Sequence, residues 1–440
     1  MTSSMKQRIA QIRQGQVPKG YRLTRCGIMP TDWRELCLGD IYAERNEPGN
    51  ENLPLLMVSI HSGVSDGEVD EEQLPKKVKR IADKTRYKRA ASGDLAFNMM
   101  RAWQGAIGTV RTEGMVSPAY IVAVPNDKVD PLFMDYYVKM DRTVQYIHRR
   151  SYGVTDFRLR LYWDSFVAIP CVLPPLAEQR KIAKIFATQD RVIELLNRKI
   201  EQLKLLKKYC LRRMFPQHGK TMPEVRFQGF TGAWERKRLG DLCHFSKGFG
   251  YSKSDLKSFG NPIILYGRLY TRHETEIVEV DSFAEAQTES VYSRGGEVIV
   301  PASGETAEDI AIASVVKQTG VIIGGDINIL EPESALDSTF LAISISSGQS
   351  HSDIARMAQG KSVVHLHCSD LAKVILSYPS YSEQMKINSF FRHIDYLVTL
   401  NQRMCEQEER KKKALMQLLL TGIVKVNEAA GSRFSTRKGQ

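Results

Sequence analysis

The stretch LPPLAEQRKIAKIFATQDRVIELLNRK, residues 173–199, returns 205 residues later as YPSYSEQMKINSFFRHIDYLVTLNQRM, residues 378–404. Glu178-Gln179, Ile182, Phe186 and Asp190 of the first copy match Glu383-Gln384, Ile387, Phe391 and Asp395 of the second. Residues 177–214 hold no proline or glycine and are rich in Leu, Lys, Arg, Glu and Ile, which predicts a long helix. Ile193, Leu196, Ile200, Leu203, Cys210 and Met214 recur at spacings of three and four, and Lys207 interrupts them. The second helix, 382–421, is closed by Gly422 as a C-cap. Its seam is poorer, with Val398, Cys405, Leu415 and Leu419 interrupted by Asn401, Glu408 and Lys412. Two separate amphipathic surface helices would fit this pattern. A mutual antiparallel coiled coil fits it better, because the apolar stripes coincide in the repeat. Each helix would then span on the order of 50 Å at about 1.5 Å per residue.

The repeat extends outward from the helices. Trp33-Arg-Glu-Leu-Cys-Leu-Gly-Asp40 returns as Trp234-Glu-Arg-Lys-Arg-Leu-Gly-Asp241, and Gly93-Asp94-Leu95 returns as Gly296-Glu297-Val298. Ala106-Ile107-Gly-Thr-Val110 returns as Ala311-Ile312-Ala-Ser-Val315. A period this long indicates a duplicated domain rather than a solenoid. Short strand-like runs such as PAYIVAVP, FVAIPCVLP, GEVIVPA and AKVILSYP, punctuated by Gly, Asn, Asp and Ser, predict β-rich mixed domains. The expected fold is α+β, with two such domains separated by two long helices about a pseudo-two-fold axis. Its expected segments are an N-terminal helical piece (1–26), a first domain (27–172) and a central helix (173–215). A second domain with its linker (216–377), a C-terminal helix (378–424) and a basic tail (425–440) follow. KQRIAQIRQGQVPKGYRL before the first domain resembles KKYCLRRMFPQHGKTMPEVRF before the second, so residues 5–14 are expected beside the end of the C-terminal helix.

Sixty-two Lys and Arg against fifty Asp and Glu give a formal charge of +12 in 440 residues. That excess attracts polyanions, of which nucleic acid is the commonest. Seven cysteines are dispersed without C-x-x-C spacing, which argues against a zinc site or redox dithiol and suits a reducing cytoplasm. No run approaches the roughly 20 apolar residues of a membrane span, and the first residues lack the apolar segment of a signal peptide. A cytoplasmic protein without a membrane partner is expected.

In LPPLAEQRKIAKIF, the two Trp-x5-Gly-Asp openings and FNMMRAWQGAIGTVRTEGMVSPAY, the sequence resembles a specificity subunit of a type I restriction–modification enzyme. The resemblance covers nearly the whole chain. It implies two target-recognition domains, each reading one half of a split site in double-stranded DNA. It also implies that the helices separate those domains, set the spacer and dock two modification subunits. S-adenosylmethionine would be bound by the modification subunits, and ATP and Mg by restriction–translocation subunits, with no cofactor on this chain. One departure is local: Leu-Pro-Pro-Leu at 173–176 becomes Tyr-Pro-Ser-Tyr at 378–381.

The densest basic run, KKVKRIADKTRYKR, offers Lys76, Lys77, Lys79, Arg80 and Arg86 for phosphate contacts; the matching stretch of the second unit, DSFAEAQTESVYSR, is acidic. A solvated face is the plainer reading of such a run. Arg101, Trp103 and Gln104 lie between two strand-like segments, where a loop can present Arg to guanine and Gln to adenine. Alternatively Trp103 is a core aromatic with Arg101 as its surface neighbour. The analogous second-unit loop carries Ser303, Glu305 and Thr306. A further loop precedes the last strand of each unit, with Arg149, Tyr152, Thr155, Arg158 and Arg160 in the first. Its counterpart carries Lys361, Ser362, His365 and His367, and Arg268, Tyr270 and Arg272 form another basic–aromatic group. Two histidines on one strand face are more often structural than metal ligands.

Catalytic signatures are missing. There is no Asn/Asp-Pro-Pro-Tyr/Phe, Gly-x-Gly-x-x-Gly, H-E-x-x-H or G-x-S-x-G. Gly360-Lys361-Ser362 imitates the end of a phosphate loop, but Ala355 stands where that motif needs glycine. A non-catalytic specificity subunit is therefore expected. The alternatives are a stand-alone DNA-binding regulator or architectural protein, and an enzyme with a dispersed site such as a nuclease.

Overall fold

The computed structural model describes residues 3–60, 63–66, 84–153, 158–217, 219–358 and 364–426. Lys76, Lys77, Lys79, Arg80, Thr155, Lys361 and Ser362 lie outside the described residues. The chain divides into two units, Met1–Leu195 with Met404–Gln440, and Leu196–Arg403. Each unit thus combines one mixed α/β domain with part of each long helix.

In the first unit a four-stranded antiparallel sheet runs in the order Tyr42–Glu44, Tyr120–Pro125, Leu95–Asn98, Ile107–Thr109. Leu95–Asn98 is buried along its length, as its unalternating sequence requires of a central strand. Helix Pro131–Tyr137 begins where Asp130 accepts a bond from the Phe133 N–H and proline fills the first helical position. It lays Phe133 and Tyr137 into the core with Leu95, Phe97 and Phe166. The run FVAIPCVLP is only half strand: Trp163–Val167 is helical, and the strand is Pro170–Leu173. That strand pairs antiparallel with Arg34–Cys37, so the domain's exit lies beside its entrance.

The Trp-x5-Gly-Asp motif explains itself in this geometry. Leu38–Asp40 is a 3-10 turn in which the Asp40 carboxylate accepts the Cys37 N–H at 2.7 Å. A Cβ on Gly39 would come within 2.8 Å of the Val167 Cβ, so no larger residue fits. In the second unit the turn recurs as Leu239–Asp241, with Gly240 close against Ala372.

The second unit has a five-stranded sheet in the order Cys243–Lys247, Ile327–Pro332, Val298–Pro301, Ser314–Val316, Glu276–Ile277. A smaller sheet joins Leu256–Lys257, Phe283–Ala284, Asn261–Ile264 and Ile322–Ile323. Glu235–Arg238 pairs with Ile375–Tyr378, so this domain too is left beside the point where it is entered.

The long helices are Leu176–Arg213 and Tyr381–Leu419. Their seam positions are buried or half-buried: Ile193, Leu196, Ile200 and Leu203 on the first, and Val398, Cys405, Leu415 and Leu419 on the second. In the first unit Ile182 and Phe186 share a core with Leu419 and Leu420, and Lys412 pairs with Asp190. In the second, Phe215 stands 6.4 Å from Phe391, and Lys207 pairs with Asp395.

Each helix is joined to its domain by a buried glutamine. Gln179 Oε1 accepts the Asp130 N–H at 2.8 Å, while its Nε2 donates to the carbonyls of Lys128 and Pro174. Gln384 makes the same three bonds, to Asp337 N, Ala335 O and Pro379 O. The N-terminal helix Ser3–Arg13 buries Met5 in the cluster that holds Leu419 and Leu420. The Tyr21 hydroxyl donates to the Gly422 carbonyl at 2.9 Å. Gly422 has φ 68°, the left-handed conformation expected of a C-cap glycine.

Candidate nucleic-acid interface

In the first unit the strands Leu95–Asn98 and Ile107–Thr109 are joined by a loop containing the 3-10 turn Ala102–Gln104. Gly105, at φ 103°, turns the chain back in a conformation other residues rarely adopt. The loop exposes Arg101 and Gln104. Trp103 is half-buried instead: its Nε1 donates to the Met100 carbonyl at 3.0 Å, and its ring meets His148 edge-on. It therefore braces the loop against helix Asp141–Arg150.

That helix ends in Arg149 and Arg150, both exposed. Beyond it Tyr152 and Arg160 exchange two backbone hydrogen bonds of 3.0 Å, and the Leu161 N–H donates to the Met99 carbonyl at 2.9 Å. This last bond ties the Tyr152–Arg160 bridge to the first loop. Gly153 is needed there, because a Cβ would lie 2.2 Å from the Arg158 carbonyl oxygen. The outcome is one rim exposing Arg101, Gln104, Arg149, Tyr152, Arg158 and Arg160, joined by Arg150, which the sequence reading missed. Among the described residues none of Arg101, Arg149, Arg158 or Arg160 is held in an ion pair. Arg86 is also exposed, on the turn Lys84–Arg86.

In the second unit the strand Ser303–Gly304 pairs with Val364–His365, placing Ser303 opposite His365. Glu305, Thr306, His365 and His367 are exposed around this pair. Thr306 caps the short helix Ala307–Ile310 and bonds Asp309. Ser303 is itself buried. Tyr270 lies beneath, its hydroxyl donating to the Ser303 carbonyl at 2.5 Å. Burial, with the Asp309 charge adding to it, pushes that hydroxyl well above its ordinary pKa, so it remains a donor.

Three expectations change here. Arg268 is half-buried, with its side chain only 9% exposed, and its guanidinium donates to Asp281, Glu274 and the Glu279 carbonyl. It is a brace, not a free cation. Arg272 remains half-exposed but pairs with the same two carboxylates. Tyr270 and Ser303 support the rim from below. Sequence spacing placed these residues correctly in the chain but could not show which way they face. The same blind spot hid Lys247, Phe249 and Tyr266, which are exposed near the second rim. The only signal for them was the Gly-Phe-Gly at 248–250.

No group of three or more His, Cys, Asp and Glu among the described residues is arranged to hold a metal ion. No described helix is long and apolar enough to cross a membrane.

Residues 232–408 match the family model of the type I restriction modification DNA specificity domain. The chain is 22% identical over 326 residues to the type I restriction enzyme MjaVIII specificity subunit of Methanocaldococcus jannaschii, covering 71% of this chain and 75% of that one. It is 24% identical over 442 residues to the putative type I restriction enzyme MjaX specificity subunit of the same organism, covering 93% and 97%. Among solved structures, one chain comes from work on complex assembly and conformational transition of the type I R-M system. It matches with a TM-score of 0.54 at 18% identity, over 90% of this chain and 99% of that one. The S subunit of a type I restriction-modification system from M. genitalium matches with a TM-score of 0.51 at 13% identity, over 89% and 96%. The two structures share the fold. Residues 232–408 are thus similar to the type I restriction modification DNA specificity domain, in a chain similar over nearly all its length to a putative specificity subunit of a type I restriction enzyme.

Proposed function

We propose that this chain is the DNA sequence-recognition subunit of a type I restriction–modification complex and carries out no catalysis itself. The observation that carries the reading is a pair of exposed rims on corresponding loops of the two units, with different side chains. Arg101, Gln104, Arg149, Arg158 and Arg160 offer the first half-site donors suited to guanine, adenine and phosphate. Glu305, Thr306, His365 and His367 offer the second half-site a different pattern, in which Glu305 accepts from cytosine. Unlike rims on like scaffolds read unlike half-sites.

The long helices act as the ruler. We infer that they pair antiparallel as a coiled coil about a pseudo-two-fold axis. The Lys207–Asp395 and Lys412–Asp190 pairs and the twin glutamine joints support that inference. In this arrangement the helices set the unread spacer and dock two modification subunits. Those subunits bind S-adenosylmethionine and methylate the target, and restriction–translocation subunits use ATP and Mg. The test is co-purification with the modification subunit, then methylome sequencing of cells expressing both. A split motif with two defined halves and one spacer is expected. Stable binding to DNA without any modification subunit, and no new methylation, would instead indicate a stand-alone regulator.

A further inference from the structure

Four segments of the second unit lie edge to edge. The Phe249 N–H donates to the Ile323 carbonyl at 3.2 Å, and the Gly325 N–H donates to the Gly250 carbonyl at 2.6 Å. Next along, the Ala302 N–H donates to the Asp326 carbonyl at 2.7 Å, and the Leu366 N–H to the Ala302 carbonyl at 2.9 Å. Segment 248–250 is therefore continuous with the strands that present Glu305, Thr306, His365 and His367. Its middle residue, Phe249, is 45% exposed, with Lys247 exposed two residues before it.

Both glycines beside Phe249 fix its position. A Cβ on Gly248 would lie 2.0 Å from the Gly324 carbonyl oxygen, so the two backbones cross there at contact distance. Gly250 has φ 59°, in the left-handed region. The loop is held on both sides, and its aromatic ring stands at the rim instead of folding into the core. Phe259 is more exposed, at 82%, but it stands one strand further out, before Asn261–Ile264, which pairs with Ile322–Ile323.

We propose that Phe249 is a base-contacting wedge of the second recognition domain, stacking on base faces while Lys247 holds the adjoining phosphate. This rests on the DNA-reading function proposed above. Apolar side chains between base steps kink the duplex and contribute sequence preference through the cost of unstacking. Lys247 makes nucleic acid a better occupant of this patch than an apolar protein surface, because it supplies the charge that a phosphate needs.

The test uses the complex of the full chain with its modification subunit and a duplex carrying the methylated motif's sequence, titrated at several salt concentrations. Phe249→Ala is expected to assemble normally and bind about tenfold more weakly with an unchanged salt slope, a stacking loss of the size seen on truncating aromatics. Phe249→Trp should retain affinity. Lys247→Ala should lower the salt slope by about one. Wild-type affinity in Phe249→Ala would overturn the proposal. So would lost assembly, which would make Phe249 a contact of the modification subunit. If the wild-type complex itself fails to bind the duplex, the DNA-reading function falls first, and the two failures are distinct.

Discussion

Lys207 Nζ lies 2.5 Å from Asp395 Oδ1, at a position where the apolar seam of the central helix calls for a leucine. Lys412 repeats the arrangement with Asp190, which also accepts a bond of 2.7 Å from the Tyr136 hydroxyl. A polar pair within an apolar seam costs stability but marks register. Each pair is about a third exposed, so solvent screening limits its worth to about 1 kcal/mol.

Replacing both lysines by leucine should therefore leave the urea midpoint unchanged or raise it. It should also blur the register, seen in the methylome as more than one spacer length. A single unchanged spacer would mean that the apolar residues alone set the alignment.

The glutamine joints should behave oppositely. Gln384 is fully buried and satisfies one backbone donor and two carbonyls. Gln384→Leu leaves these three groups unpaired and should cost at least about 3 kcal/mol in urea unfolding, since each orphaned group costs roughly 1–3 kcal/mol. Gln179→Leu should match it in the first unit. A loss below 1 kcal/mol, roughly one ordinary net hydrogen bond, would show that the joint is not rigid.

Glu276 supplies a pH dependence. Burial pushes its carboxyl pKa up, but bonds from Arg392 and Thr339 and the charges of Lys317 and Arg392 outweigh burial and hold it below the usual value. A carboxyl depressed on folding stabilises fully above its unfolded pKa, and that contribution disappears as pH falls through the folded pKa. Wild type should exceed Glu276→Gln by about 1–2 kcal/mol at neutral pH, with the gap closing below roughly pH 4. A gap that persists in acid would refute this assignment.

DNA binding should separate the two kinds of arginine. Arg160→Ala should reduce the slope of log affinity against log salt by roughly 0.9 and leave folding untouched, if it holds one phosphate. Arg268→Ala should do the reverse. It removes the brace between Asp281, Glu274 and the Glu279 carbonyl, costing about 1–3 kcal/mol of stability with the salt slope unchanged.

Much of the fold was legible because it is written in periodicity. The helices 177–214 and 382–421 were placed within a few residues of Leu176–Arg213 and Tyr381–Leu419, since apolar spacing and absent glycine and proline act locally. Gly93-Asp94-Leu95 and Gly296-Glu297-Val298 announced the strands Leu95–Asn98 and Val298–Pro301. FVAIPCVLP misled because a β-branched, apolar run is equally at home in a buried helical turn such as Trp163–Val167. At the rims, the loops were legible but the directions of their side chains were not. Arg268 and Arg101 look alike in sequence. Only the placement of Glu274 and Asp281 around Arg268 distinguishes a brace from an exposed cation.

The two-strand clasps of Arg34–Cys37 with Pro170–Leu173 and of Glu235–Arg238 with Ile375–Tyr378 have an evolutionary consequence. Each domain enters and leaves through neighbouring chains, so everything between the clasp strands is a cassette. Recombination that exchanges residues 38–169 or 239–374 would leave both clasps and the helix seams intact, and an incoming segment would need only to present one backbone N–H and one carbonyl to the waiting Gln179 or Gln384. A lineage can then acquire a new half of its target in one genetic step while the other half is inherited unchanged.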